Sequence, residues 1–206
     1  MSMLAFLVEA TLISLSGVLA PGPITAVVVG KGGKSPHAGA LVAIGHGIVE
    51  VPLMVAVFYG VGRLMALSYV KAGIALLGGL LLLVMGVGML RSIRQAEIGS
   101  GQDTRSPIVA GILLSIGNPY FLVWWATVGA ALIMRSFRFG VLGFVAFGAL
   151  HWLCDLAWNY FLSVLSFKGG AFFGRRFQQV VFAVCGTFLV FSSARLLVEA
   201  ARVLSG

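Results

Sequence analysis

The sequence predicts an all-α fold, an integral membrane bundle of six transmembrane helices. Hydrophobic residues make up 60% of the 206 residues and charged residues only 10%, whereas a soluble domain is about 45–50% apolar. A spanning helix needs about 20 mostly apolar residues, so six helices and their short loops use up the chain. We therefore expect a single transmembrane transporter-sized domain over 1–206 and no separate soluble domain.

The apolar runs and the polar breaks between them place the helices. The predicted helices cover 3–29, 38–65, 70–91, 107–134, 139–165 and 178–202. The longest polar stretch, 92–106, is predicted to link two halves of three helices each, about 1–92 and 107–206. The first run lacks the basic residues that open a signal peptide, so we assign it to helix 1.

Basic residues give the chain a formal charge of +8 and lie mostly in the gaps between apolar runs. Topology and contact with anionic membrane lipid explain this pattern better than nucleic acid, which we do not expect as a partner. The positive-inside rule predicts that both termini lie outside. The basic residues on the predicted inner side are Lys31, Lys34, Arg91, Arg94, Arg105, Lys168, Arg175 and Arg176.

Proline interrupts the first helix of each half. Helix 1 contains Ala20-Pro21-Gly22-Pro23, and helix 4 contains Gly117-Asn118-Pro119. Proline leaves backbone groups unpaired in lipid unless something binds them. We expect Asn118 to cap a helix that restarts at Pro119, and helix 1 to restart in the same way. Because a helix N-terminus stabilises an anion, each break is a candidate carboxylate site, with a plain proline kink as the alternative.

A histidine precedes an acid by four residues in the second helix of each half. His46 precedes Glu50 and His151 precedes Asp155, a spacing that puts each pair on one helix face. An acid deep in a membrane costs roughly 2.5–3.5 kcal/mol and usually marks an ion, proton or substrate path. Each pair suits a proton relay, or the histidine simply satisfies its acid, and the spacing does not decide between these.

The breaks and the histidine–acid pairs recur in the same order in both halves. Halves with an odd number of helices are related by an inverted repeat if they are related at all. We therefore predict a 3+3 inverted repeat in which helices 1 and 4 are broken.

Motifs of enzymes and nucleotide-binding proteins are missing from the sequence. The segment 30–35 resembles the end of a phosphate-binding loop, but Val28 stands where the first glycine belongs. There is no zinc-protease motif, no nucleophile elbow and no Cys-x-x-Cys pair. We expect neither an enzyme nor a cofactor.

The proline breaks of helices 1 and 4, together with Glu50 in a Gly-rich helix 2, resemble the lysine-exporter (LysE) superfamily. The resemblance covers essentially the whole chain. The resemblance implies a six-helix, homodimeric carrier in a prokaryotic inner membrane that exports amino acids or related small solutes, coupled to protons or another ion gradient. Where family members commonly carry Asn just after Gly-Pro, this chain has Ile24 and Thr25, and Thr25 is the candidate replacement. The residues that match the family motifs are Pro21, Gly22, Pro23, Asn118 and Pro119, with Glu50 in the place of a helix 2 acid that is often Asp.

Three hypotheses follow from the sequence. In the first, the protein is an ion-coupled exporter of a small solute. Glu50 and Asp155 bind either the cationic group of the solute or the coupling proton, and the helix breaks bind the carboxylate of the solute. In the second, the four histidine and acid side chains bind a divalent metal ion as cargo, which requires their helix faces to meet. In the third, the buried acids only specify packing in a membrane scaffold that transports nothing.

Overall fold

The protein is entirely helical in the computed structural model, which describes residues 2–61, 67–93 and 105–205. Besides α-helices, the described residues contain two π-helical segments, Val57–Val61 and Trp125–Gly129, and a 3-10 turn, Phe137–Phe139. Within the described ranges the α-helices are α1 Met3–Val18, α2 Pro23–Gly32, α3 Ala38–Ala56, α4 Ser68–Ser92, α5 Pro107–Ile116, α6 Pro119–Trp124, α7 Ala130–Ser136 and α8 Gly140–Ser205.

Several helical segments are long and apolar enough to cross a membrane. Among the described residues there are four: Ala38–Gly60, Ser68–Arg91, Tyr120–Gly169 and Gln179–Val203. The pair α1 and α2 passes the same test together and is bent by 78°, which makes a fifth crossing if the pair is one span. The all-helical membrane fold and the break within the first predicted helix are therefore confirmed. Six crossings and an inverted repeat remain predictions, and most of the predicted linker lies outside the described residues.

The C-terminal part of the chain differs from the prediction. A gap was expected between helices 139–165 and 178–202, but the backbone is helical throughout Gly140–Ser205. The gap contains basic residues and glycines but no proline, so nothing in it forbids a helical backbone. This stretch is not straight, because Asn159 and Leu189 line the same cavity and thirty residues of straight helix would separate them by about 45 Å.

Helix α3 shows how the fold distributes polar and apolar side chains. Leu41, Ile44 and Ile48 are exposed on one face, whereas His46 and Glu50 on the other face are 6% and 1% exposed. This is the arrangement expected when lipid, not water, surrounds the protein. The polar face of α3 is therefore turned toward the interior of the bundle.

Small residues let α3 approach its neighbours closely. A side chain at Gly39 would overlap the backbone of Asn159 in α8, and Trp152 of α8 donates its indole N–H to the Ala43 carbonyl over 3.3 Å. Gly39, Ala43 and Gly47 recur every four residues along α3, and small residues on one face allow such close helix contact. The first part of α8 is thereby held against α3, which brings His151 and Asp155 opposite His46 and Glu50.

Candidate functional site

The first helix break lies between α1 and α2. Pro23 is the first residue of α2 and Gly22 is its N-cap. The restart of the helix within this motif was predicted from the sequence. The Gly22 amide donates to the Thr25 hydroxyl over 3.4 Å, so Thr25 closes the start of the helix. Thr25, the candidate replacement for the asparagine expected from the resemblance, thus has a local role at this break.

The second break lies between α5 and α6 and follows the same plan. Asn118 is the N-cap, and its side-chain Oδ1 accepts a hydrogen bond from the Tyr120 amide over 3.1 Å. Pro119 is the first residue of α6, where its missing N–H costs nothing. The predicted cap and restart are therefore confirmed. Asn118 is 9% exposed, which places this helix start in the interior of the bundle.

The two histidine–acid pairs form one cluster rather than two separate pairs. Glu50 Oε1 lies 3.2 Å from His46 Nε2 and 3.2 Å from His151 Nε2. Asp155 is further away, with Oδ2 3.5 Å from His151 Nε2 and Oδ1 4.0 Å from His46 Nε2. The i, i+4 spacing could predict only the contacts within each helix. The contact between His151 and Glu50 depends on how α3 and α8 face each other.

Trp125 and Ser115 support the cluster, and neither was predicted from the sequence to have a role in the site. Trp125 is fully buried and donates its indole N–H to Glu50 Oε1 over 3.3 Å. Ser115 is also fully buried, and its Oγ lies 2.6 Å from His46 Nδ1. Both residues come from the second half of the chain, so only the tertiary structure reveals them. Asn159 also lines the site, and it continues the four-residue spacing of His151 and Asp155, a signal that sequence reasoning missed.

The hydroxyl of Ser115 fixes the orientation of His46. When the hydroxyl donates to the Gly111 carbonyl, which lies 2.6 Å from Oγ, its single hydrogen is used and it accepts from His46 Nδ1. In that tautomer His46 carries a hydrogen on Nδ1. The contact between His46 Nε2 and Glu50 Oε1 then contains a hydrogen only when the ring or the carboxyl group has taken up a proton. This geometry supplies a place for one proton between two buried groups.

A cavity joins the cluster to both helix breaks. The centres of water-sized molecules can occupy about 80 Å³ of it, enough for several waters or part of a small solute. Its walls also include Trp124, Trp125, Tyr120 and Phe121. One predicted site residue, Pro119, is not among the residues that line the cavity, although it begins the helix that Asn118 caps. The other predicted site residues all line the cavity: Pro21, Gly22, Pro23, Thr25, His46, Glu50, Asn118, His151 and Asp155.

Several polar atoms at this cavity are buried without a hydrogen-bond partner among the described residues. They are Glu50 Oε2, Asp155 Oδ2, His151 Nδ1 and Trp124 Nε1. An unpaired buried polar group costs about 1–3 kcal/mol. Residues that line the cavity therefore keep both donor and acceptor capacity that no described group uses.

The same cluster contains donors that suit a metal ion. His46, Glu50 and Asp155 each offer a ligand atom, all within 4.8 Å of one another, and all three residues are buried. Imidazole and carboxylate together suit zinc and related divalent ions. The metal-ion hypothesis requires the two helix faces that carry the histidine–acid pairs to meet, and the faces of α3 and α8 do meet.

A family model describes nearly the whole chain. The model of the LysE type translocator matches residues 15–200, a range that includes both helix breaks and the cluster. The chain belongs to the LysE type translocator family. No curated protein and no solved structure matches it significantly.

Membership of the LysE type translocator family agrees with what the fold shows. The protein is a multi-pass membrane protein and a transporter rather than an enzyme. The family implies export of a small solute. A scaffold without transport activity, the third hypothesis from the sequence, has no support from this membership.

Proposed function

We propose that this LysE type translocator is a secondary-active exporter of an amino acid or a related small cationic solute, coupled to protons or another ion gradient. The observation that carries the proposal is the pair of carboxylates, Glu50 and Asp155, buried at a cavity that both helix breaks line. Acids at such depth normally face a substrate or ion path. A prokaryotic inner membrane, with both chain termini outside, is the location that fits the sequence.

The two ends of an amino acid match two sides of the cavity. Its ammonium group suits the free oxygens of Glu50 and Asp155, which need hydrogen-bond donors. Its carboxylate suits the N-terminus of α2, where Gly22, Pro23 and Thr25 line the cavity and the helix dipole is positive. The wall of the cavity thus offers opposite electrostatic character to opposite ends of the solute.

The cluster also supplies a means of coupling. The shared position between His46 Nε2 and Glu50 Oε1 holds a proton that competes with a cationic solute for the same carboxylate. Binding of the solute and loading of the proton are then linked, which is the requirement for an antiporter. Alternating exposure of the cavity would come from rocking of the two predicted halves against each other.

Replacement of Glu50 by Gln tests this proposal in proteoliposomes. Glu50→Gln keeps the shape of the side chain but removes its charge, so we expect export of labelled amino acids under an imposed pH gradient to fall at least tenfold. The protein should still insert and elute as the wild type does from a sizing column. Glu199→Gln, which changes an exposed carboxylate in α8, is the matched control and should export normally. Normal export by Glu50→Gln would remove Glu50 from the mechanism.

A divalent metal ion is a second candidate substrate. The observation that favours it is the set of three buried ligand atoms within 4.8 Å on His46, Glu50 and Asp155. A metal exporter would bind zinc or cadmium saturably, and His46→Ala would abolish that binding. Transport of metal but of no amino acid in the same proteoliposomes would replace the first proposal with this one.

The homodimer implied by the family resemblance is part of the proposal. The exposed apolar faces of the bundle suit contact with lipid or with a second copy. Cross-linking in native membranes, followed by sizing in mild detergent, distinguishes a dimer from a monomer.

A further inference from the structure

Trp125 lies at the wall of the cavity, beside the carboxylate on which the proposed function depends. Its side chain is fully buried, and its indole N–H donates to Glu50 Oε1 over 3.3 Å. An indole N–H donates hydrogen bonds and never accepts them, whereas the nitrogens of His46 and His151 donate or accept according to where their hydrogens lie. The contact with Trp125 therefore holds Glu50 Oε1 in place whichever hydrogens the two histidines carry.

The two oxygens of the Glu50 carboxylate have different surroundings. Besides the indole, His46 Nε2 and His151 Nε2 each lie 3.2 Å from Oε1. Oε2 is buried and has no hydrogen-bond partner among the described residues. A carboxylate held at one oxygen has a fixed plane, so its second oxygen also has a fixed place. Glu50 thus keeps one oxygen for the protein and has unused acceptor capacity on the other.

Aromatic neighbours fix the ring of Trp125. Its centroid lies 5.2 Å from that of Trp124 at an interplanar angle of 82° and 5.1 Å from that of His151 at 70°. Phe147 lies 6.5 Å away at 60°. Such edge-to-face contacts are favoured between aromatic rings. The indole cannot shift without moving these rings, one of which belongs to the acid cluster itself.

The backbone that carries Trp125 is a π-helical turn, Trp125–Gly129. Single π-helical turns are rare and are often found at functional sites. Gly129 ends the turn, and a Cβ at Gly129 would overlap Cε3 of the Trp125 ring. Cε3 belongs to the six-membered ring, on the far side of the indole from Nε1. Glycine therefore leaves room at one edge of the indole while the opposite edge donates to Glu50.

We propose that Trp125 is a positioning residue for the substrate-binding carboxylate, and that Gly129 in the π-helical turn sets the position of its indole. Trp125 holds Glu50 in one orientation before the solute arrives, so the carboxylate loses little freedom when the solute binds. The inference rests on the proposed function, in which Glu50 binds the exported cation. It applies to an ammonium group and to a metal ion alike, because carboxylate oxygens bind both.

Replacement of Trp125 by Phe in proteoliposomes tests the role of the indole. Labelled L-lysine, L-threonine, L-leucine and zinc are the probes, and the variants are measured with a probe that the wild type exports. Trp125→Phe keeps an aromatic ring but removes the N–H. We expect the half-saturation concentration to rise about tenfold, because a hydrogen bond to a charged group is lost. The maximal rate per folded protein should stay within about twofold of the wild-type rate, since the indole acts on binding.

Gly129→Ala tests whether glycine acts through the indole. The new Cβ must displace the ring, so the half-saturation concentration should again rise about tenfold. In the double variant with Trp125→Phe there is no N–H left to displace, and the value should stay within about twofold of that of Trp125→Phe alone. Independent effects would instead multiply to about a hundredfold.

Two variants control for loss of ring size and for tight packing. Trp158→Phe shrinks a tryptophan whose Nε1 is also buried, and Gly79→Ala adds a Cβ that would lie 2.8 Å from Leu197 Cδ2. None of these three residues is among those that line the cavity. Both variants should keep the half-saturation concentration within about twofold of the wild-type value, even where they lower the unfolding temperature.

An unchanged half-saturation concentration in Trp125→Phe would overturn the inference, and this variant decides it even if Gly129→Ala does not fold. A hundredfold rise in the double variant would show that Gly129 does not act through the indole. An equal rise in the two controls would show that the effect is only one of stability. If the wild type exports none of the four probes, the proposed function fails and the inference with it, and this outcome is visible before any variant is made.

Discussion

At the scale of single residues, Ser115 is the support that His46 requires. Its Oγ lies 2.6 Å from His46 Nδ1, and both side chains are buried. Ser115→Ala leaves that ring nitrogen without a hydrogen-bond partner, so we expect it to lower the free energy of unfolding by about 1–3 kcal/mol. We also expect slower export, because the ring is then free to turn away from Glu50. Thermal unfolding in detergent and export in proteoliposomes measure the two effects.

Ser193→Ala is the control for this change. Ser193 is as buried as Ser115, and its hydroxyl donates to the Gly79 carbonyl over 2.8 Å. Because Gly79 lies within α4, this carbonyl also accepts a backbone hydrogen bond of the helix and keeps that partner when the hydroxyl is removed. The replacement should cost about 0.5–1.5 kcal/mol and leave export unchanged. Export that falls equally in both variants would mean that Ser115 contributes only to stability.

The sequence could predict the residues of the site better than their partners. The i, i+4 rule identified His46 with Glu50 and His151 with Asp155, because both members of each pair lie on one helix. It could not show that His151 reaches Glu50 at 3.2 Å, or that Trp125 donates to the same oxygen. Those contacts join helices that are far apart in the chain, and their geometry depends on packing that no local pattern encodes.

At the scale of helices, proline and asparagine made the breaks predictable. The C-terminal boundary was not, because a gap of basic residues and glycine can stay helical. The segment Tyr120–Gly169 has 50 residues, about 75 Å if straight, which is more than twice the thickness of the hydrocarbon core. Gly140, with φ of 63°, interrupts this segment. We therefore still predict two crossings here and six in the whole chain.

The crossing of α3 and α5 depends on two glycines. A side chain at Gly45 would overlap the backbone of Ile108, and one at Gly111 would overlap the carbonyl of Val42. Either replacement by alanine must push the two helices apart. We expect Gly45→Ala to lower the free energy of unfolding by about 1–3 kcal/mol, the usual cost of overpacking. Thermal unfolding in detergent measures the loss.

Gly73 in α4 offers a matched control. In the part of the chain that the structure describes, no atom outside the surrounding turns of α4 lies within 4 Å of the position that its Cβ would take, so alanine at Gly73 meets no neighbouring helix there. Alanine favours a helix over glycine by about 1 kcal/mol, and this variant should unfold at the same temperature as the wild type or higher. If Gly45→Ala were as stable as Gly73→Ala, the close crossing of α3 and α5 would not contribute to the fold.

At the scale of the whole molecule, polar contacts tie the first half of the chain to the second. Arg135 of α7 binds both carboxylate oxygens of Glu9 in α1, at 2.9 Å and 2.6 Å, and its guanidinium lies 5.5 Å from the Phe6 ring. Glu9 precedes Gly17 of the cavity wall by about 12 Å along α1. A second contact, from Lys31 of α2 to the Arg105 carbonyl over 2.8 Å, joins the first half to the predicted linker. Rocking of the halves against each other would stretch the Glu9–Arg135 ion pair.

Charge reversal tests whether the Glu9–Arg135 tie takes part in alternating exposure. Arg135→Glu places two carboxylates opposite each other, and Glu9→Arg places two guanidinium groups there, so each change should disfavour the state in which this end is closed. The pair is partly exposed, since the side chain of Arg135 is 34% accessible and that of Glu9 is 46% accessible. We therefore expect each single variant to alter the export rate by at most about fivefold.

The double variant restores opposite charges and should return the rate to near the wild-type value. Glu199→Arg, at an exposed carboxylate outside this pair, controls for the change in net charge. A double variant no better than the two singles would show that the ion pair has no part in transport.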